Sequence, residues 1–253
     1  MKRLVSNKII LEKEAVSFRT KLGYGQTEPI QLKALLLKLQ VLTLFRPMSE
    51  NFSGMAIKIE QEGETHRFIM INSDKSLGHQ NFTICHELYH LYIQTNFQSR
   101  ICEVGSFNKK DREEYNADVF ASYFLLPEDA IRANIPDEEI IRESISIGTI
   151  LRIEQMFNCS RSALLVRLKE LGFLVGIQAE KFEKSIKSTA VAYGYSPYLY
   201  EKSAAESVVG NYGELAHNLY EQGKISENHY YSIMTALGLP IESVEFQDDE
   251  INH

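Results

Sequence analysis

The chain is 253 residues long, with 44% hydrophobic and 24% charged residues. That composition supports a sizeable buried core and excludes a disordered, collagenous or disulfide-miniprotein class. Lys and Arg number 27 against 34 Asp and Glu, a net charge of −7, which does not favour wholesale nucleic-acid binding.

The three cysteines, Cys85, Cys102 and Cys159, are widely spaced. They form neither a disulfide framework nor a metal knuckle, and an odd count fits a reducing compartment. Near the start, Ile9-Ile10-Leu11 runs straight into Glu12-Lys13-Glu14, too short and too charged for a signal peptide. No apolar run reaches the roughly 18 residues of a membrane span. The expected setting is the cytoplasm.

In chain order, residues 29–46 begin with leucines at helical spacing and end in Val41-Leu42-Thr43-Leu44-Phe45, which is strand-like. Gly54 to Glu60 and His66 to Asn72 flank the turn-prone Glu62-Gly63-Glu64 and predict a β-hairpin. A helix is predicted from about Gln80 to Gln94. Asp111 is a candidate cap for another, from Arg112 to Leu126, stopped by Pro127. Shorter helices are expected after Pro127 and at Pro136-Asp137-Glu138-Glu139. Ser146 to Leu171 reads as two helices around Asn158-Cys159-Ser160. From about Ala179 the pattern is mostly helical, and the acidic end, Gln247 to His253, is expected to fray.

The chemistry is concentrated in Phe82-Thr83-Ile84-Cys85-His86-Glu87-Leu88-Tyr89-His90. His86 and His90 stand four residues apart, so a helix places both imidazoles on one face, able to grip one metal ion. Glu87 lies beside that face as a proton acceptor. Phe82, Ile84, Leu88, Leu91 and Tyr92 form an apolar side. A catalytic zinc needs a third protein ligand and a fourth position for water, whose pKa the metal lowers to roughly 7. Glu114 and Asp118 recur four apart on the next helix. Glu114 is the preferred third ligand, with Asp118 hydrogen-bonding a ligand histidine from behind. Glu113 is the rival, but it points about 100° away from Glu114, over which Asp118 stacks. Cys85 reads as a small core residue. His79, Tyr89, Tyr115 and Tyr123 are candidate oxyanion donors by proximity in sequence alone.

His79-Gln80-Asn81-Phe82-Thr83-Ile84-Cys85-His86-Glu87-Leu88-Tyr89-His90, taken with Glu114-Tyr115-Asn116-Ala117-Asp118-Val119-Phe120-Ala121 and Leu125-Leu126-Pro127, resembles the ImmA/IrrE family of metallo-endopeptidases. The resemblance covers about residues 30 to 175. It implies His86, His90 and Glu114 as ligands of one Zn2+ per chain and Glu87 as catalytic base. His79 stands where the family often has Arg, Cys85 where it has Ala, Tyr89 where it has Gly and Asp118 where it has Asn. None of these departures removes a required chemical group. The resemblance further implies cleavage of a partner repressor with a helix-turn-helix domain, releasing a stress or mobile-element programme. The alternative is a non-proteolytic partner in a toxin–antitoxin pair.

The expected fold is α+β. A zincin-like metallopeptidase core, a small sheet with its hairpin plus the active-site helices, spans 1–145. A helix-turn-helix-like pair follows at 146–175 and a helical C-terminal region at 176–253. Ser53-Gly54-Met55-Ala56-Ile57-Lys58-Ile59 is either an edge strand for binding substrate or an ordinary sheet strand filling the core. Arg161, Arg167 and Lys169 on the second helix of the pair raise direct DNA binding as a lesser reading, against packing on the core. Tyr198, Tyr200, Tyr212, Tyr220, Tyr230 and Tyr231 are either core residues or a partner surface. His217 and His229 have no metal-type neighbour in sequence.

Overall fold

Glu62 and Gly63 close the hairpin with φ of +52° and +84°, the pair of positive values used by a two-residue type I′ turn. They join β2 (Gly54–Gln61) to β3 (Glu64–Asn72) in antiparallel register, with Gln61 opposite Glu64 and Gly54 opposite Ile71. On the other side of β3 lies β1 (Val41–Arg46), parallel to it. The computed structural model describes residues 2–97, 100–102, 107, 111–203 and 206–236. Two short strands complete the sheet among these residues. β4 (Arg100–Cys102) pairs with the start of β2, and β5 (Ser207–Val209) pairs with β1, giving the order β4-β2-β3-β1-β5.

Strand periodicity gives the sheet a covered face. Val41, Thr43 and Phe45 of β1 are buried while the alternate residues are only partly so. Asn72, at the end of β3, is buried and latches the β1–β2 connection. Its amide donates to the carbonyls of Met48, Ser49 and Phe52, and its carbonyl accepts from Met48 N and Asp74 N. This latch delivers Ser53 and Gly54 to the functional site.

Helix α1 spans Lys2–Lys21 and α2 spans Leu32–Lys38. No helix is predicted at α1 from the sequence. Leu11, Ala15, Phe18 and Leu22 recur at helical spacing and are buried, but exposed Ile9, Ile10 and Val16 blur the pattern. Phe18 packs among Tyr92, Phe120 and Phe124, with ring centroids 5.4–6.2 Å away.

Helix α3 (Leu77–Tyr92) packs on β2 and β3. It begins before the predicted Gln80 because Leu77 N finds a distant acceptor, Glu201 O at 3.1 Å. Residues 82–91 are buried, so α3 is a central helix rather than an amphipathic surface one. Helix α4 (Arg112–Leu125) packs against α3 and α1. Asp111 caps it as expected, its carboxylate accepting from Glu113 N and Glu114 N.

Helices α5 (Glu128–Ala133) and α6 (Asp137–Ile141) follow Pro127 and Pro136. The expected pair is α7 (Ile147–Phe157) and α8 (Arg161–Glu170). Asn158 turns the chain with φ +50°, and Ser160 Oγ caps α8 by accepting from Ala163 N. One hydrophobic core runs from Leu11 to Leu174 and includes both helices of the pair.

The C-terminal region is mostly helical, as expected, with α9 (Gly176–Phe182), α10 (Ile186–Ala192), a 3-10 turn (Pro197–Tyr200), α11 (Tyr212–Glu221) and α12 (Glu227–Ala236). β5 is the exception, too short for periodicity to reveal. Residues 247–253, expected to fray, lie outside the described residues. The fold is α+β, as predicted. Among the described residues no helix is long and apolar enough to cross a membrane.

Candidate metal centre

Helix α3 sets His86 and His90 one turn apart, both fully buried, with their Nε2 atoms 3.1 Å from each other. The first turn of α4 brings in Glu114. Its Oε2 lies 3.2 Å from His86 Nε2 and its Oε1 3.6 Å from His90 Nε2. Ligand atoms of these three residues all lie within 4.8 Å of one another. Four-coordinate zinc with bonds of roughly 2.0–2.1 Å spaces its ligand atoms about 3.4 Å apart. The three observed separations bracket that spacing.

Proton bookkeeping points the same way. His86 Nδ1 lies 3.0 Å from Asp118 Oδ1 and donates to it, leaving the Nε2 lone pair facing inward. His90 Nδ1 donates to the Gln94 side-chain carbonyl, with the same result. Two imidazole lone pairs and a carboxylate therefore converge, and convergent acceptors need a cation between them. Burial opposes charge on His86. The hydrogen bonds to Asp118 and Glu114, with Glu87 nearby, outweigh it and raise the pKa to about 10. A divalent cation bound here would take the place of that proton.

Asp118 is itself held on both oxygens. Oδ1 engages His86, and Oδ2 accepts from Phe107 N at 2.7 Å. Glu87 is buried where β2 crosses α3. A Cβ at Gly54 would lie 2.9 Å from Glu87 Oε1 and 2.5 Å from Thr83 Cγ2, so only glycine lets the strand approach this closely.

Glu113, the rival ligand, accepts from the Tyr89 hydroxyl at 2.9 Å and stands outside the cluster. Burial, together with that bond, raises the Tyr89 pKa. Tyr123 faces away from the centre: its hydroxyl donates to Glu170 and its ring carries the Arg167 guanidinium. Tyr115 is a buried member of the core. His79 Nε2 is 3.1 Å from Ser53 Oγ, and burial, helped by Lys75, lowers its pKa to about 4. Cys85 is fully buried, and burial pushes its thiol up, in line with a core role.

Two readings left open by the sequence are narrowed. Ser53–Ile59 is not a free edge at the centre, because Gly54, Met55 and Ala56 already pair with β4. The cations of α8 do not form a basic face. Arg161 is buried on Glu154 and Phe182 O, and Arg167 on Leu126 O and Glu170. Among the tyrosines, Tyr220 and Tyr230 stack on each other at 5.1 Å, while Tyr198 is exposed. Gln94, Asn72 and Phe107 escaped the sequence reading. Gln94 was within reach of it, since it continues the four-residue step from His86 to His90.

A small sheet crossed by a helix bearing His86-Glu87-x-x-His90, with a glutamate from the following helix, defines a zincin-like metallopeptidase core. The family model of the IrrE N-terminal-like domain, Peptidase_M78, matches residues 39–169, more than half of the chain, and the chain belongs to this metallopeptidase family. No individual curated protein matches it.

Proposed function

We propose that the protein is a zinc-dependent endopeptidase that cleaves a helix-turn-helix transcriptional repressor in the cytoplasm. The convergence of His86 Nε2, His90 Nε2 and the Glu114 carboxylate, with Glu87 in the next position on α3, carries the enzymatic part. The repressor as substrate rests on the family resemblance. The buried thiols of Cys85 and Cys159 fit a reducing compartment.

His86, His90 and Glu114 would hold the ion, and Asp118 keeps His86 in the required tautomer. A bound zinc supplies Lewis acidity, activating water and polarising the scissile carbonyl. Glu87 accepts the proton that water loses on attack and returns it to the leaving amine. The close pass of Gly54 walls Glu87 on the sheet side. DNA binding by α8 is not part of this reading, since Arg161 and Arg167 are internal.

The test mixes the zinc-loaded protein with candidate helix-turn-helix regulators from the same genome and follows cleavage by mass spectrometry. Glu87→Gln is expected to lower cleavage by about 10²–10⁴-fold while retaining zinc. Cleavage that survives this change would refute Glu87 as the base. A stable complex with no cut by the parent protein would favour the non-proteolytic toxin–antitoxin partner.

A further inference from the structure

We propose that Gln94 is a positioning residue of the metal centre, holding His90 as Asp118 holds His86. The inference rests on the metallopeptidase reading above. The His90 ring is buried and donates from Nδ1 to Gln94 Oε1. Gln94 is set by the way α3 ends. Ile93 N and Gln94 N both donate to Tyr89 O at 2.9 Å, the second an i→i−5 bond that widens the last turn and fixes the Gln94 backbone one turn beyond His90. Phe97 stacks on the imidazole at 5.4 Å and Tyr89 meets it edge-on at 5.5 Å. The ring thus has one orientation, with Nε2 directed at His86 Nε2 and Glu114.

The amide oxygen decides the tautomer. With Nδ1–H committed to Gln94, the Nε2 lone pair faces inward. Without that acceptor a buried N–H loses its partner, and the proton can move to Nε2, where a lone pair is needed. A neutral amide does this without adding charge. Glu87, Glu114 and Asp118 already place three carboxylates around the two histidines. A fourth would raise the desolvation cost of the empty centre. The two histidines therefore have unlike supports, a carboxylate behind His86 and an amide behind His90.

The experiment measures zinc affinity by chelator competition, independently of any peptide cleavage. It compares the parent with Gln94→Ala, Gln94→Met and Gln94→Glu. Ala and Met remove the acceptor, and Met keeps the side-chain volume should Ala disturb packing. Both are expected to weaken zinc binding by about 10–100-fold. Gln94→Glu restores an acceptor and is expected to bind within about threefold of the parent, or more tightly. A purely structural role would lower the thermal midpoint of the metal-free protein without this rescue. Acceptor-free variants that bind zinc like the parent, or Gln94→Glu as weak as Gln94→Ala, would overturn the inference alone. A folded parent that takes up no zinc would overturn the metal-centre reading and this inference with it.

Discussion

Gly78, in the first turn of α3, lies against the backbone of Ser160 in the α7–α8 turn. A Cβ at Gly78 would fall 2.7 Å from Ser160 N and 2.9 Å from the Cys159 carbonyl carbon. Close by, the Asn81 amide donates to Asn158 O at 2.8 Å. The helix pair therefore braces the helix that carries His86 and His90. Alanine favours a helix over glycine by roughly 0.5–1 kcal/mol. Here the obstructing atoms are backbone and cannot swing aside, so overlap outweighs propensity. Gly78→Ala is expected to destabilise the fold by about 1–3 kcal/mol in urea unfolding. A variant as stable as the parent would remove the brace.

The Glu154 carboxylate is buried, receives the Arg161 guanidinium, and accepts the Tyr200 hydroxyl at 2.7 Å. Glu154→Ala would strand a buried cation and is expected to cost about 3–5 kcal/mol. The double change Glu154→Leu with Arg161→Met should recover most of that loss, because neither charge is then left unpaired. Denaturation midpoints of the parent and the two variants decide it: a double variant as weak as Glu154→Ala would contradict the pairing. The same burial predicts that α8 contributes no salt-dependent affinity for DNA, measurable by fluorescence anisotropy.

His79 gives the stability a pH dependence of known sign. Burial, with Lys75, lowers its pKa from 6.5 to about 4. Above pH 6.5 the imidazole is neutral both folded and unfolded, and its contribution is fully present. As pH falls below 6.5 the unfolded chain takes up the proton first, so stability declines, and the loss is complete once pH passes below about 4. The difference in unfolding free energy between the parent and His79→Asn should therefore change across this window and level off on either side. A constant difference would show that His79 titrates normally.

Asp118 is bonded on both oxygens, to His86 Nδ1 at 3.0 Å and Phe107 N at 2.7 Å. Asp118→Ala is expected to weaken zinc binding by about 10–100-fold, and Asp118→Asn, which keeps one acceptor, by less. Calorimetric titration with zinc would show this order. Equal affinity in all three proteins would mean that His86 needs no support from α4.

Much of the centre could be read from local periodicity. The four-residue step from His86 to His90 repeats in Glu114 to Asp118, and a helix converts each step into a shared face. The caps at Asp111 and Ser160 and the Glu62-Gly63 turn are also local, because each satisfies its own backbone within a few residues. What escaped depends on partners far away in sequence. Arg19 looks like a surface cation of a charged segment, yet it is buried and donates to Phe124 O at 2.7 Å. Arg167 looks like part of a DNA-binding face until Leu126 O and Glu170 claim it.

By itself, then, the sequence determined the helices that carry the centre, the face each histidine takes and the α+β class, since backbone geometry within one element dictates them. The sequence preferred Glu114 over Glu113 by helix phase, and the tertiary structure brings Glu114 to the histidines; the tertiary structure alone decided that β4 occupies the edge of β2 at the centre and that Gln94 closes on His90. Those outcomes depend on the packing of α4 against α3, on strand pairing across the sheet and on how α3 ends. Helix phase favours Glu114, but only the packing of a second helix beside the first sets its carboxylate against the histidines while Tyr89 engages Glu113.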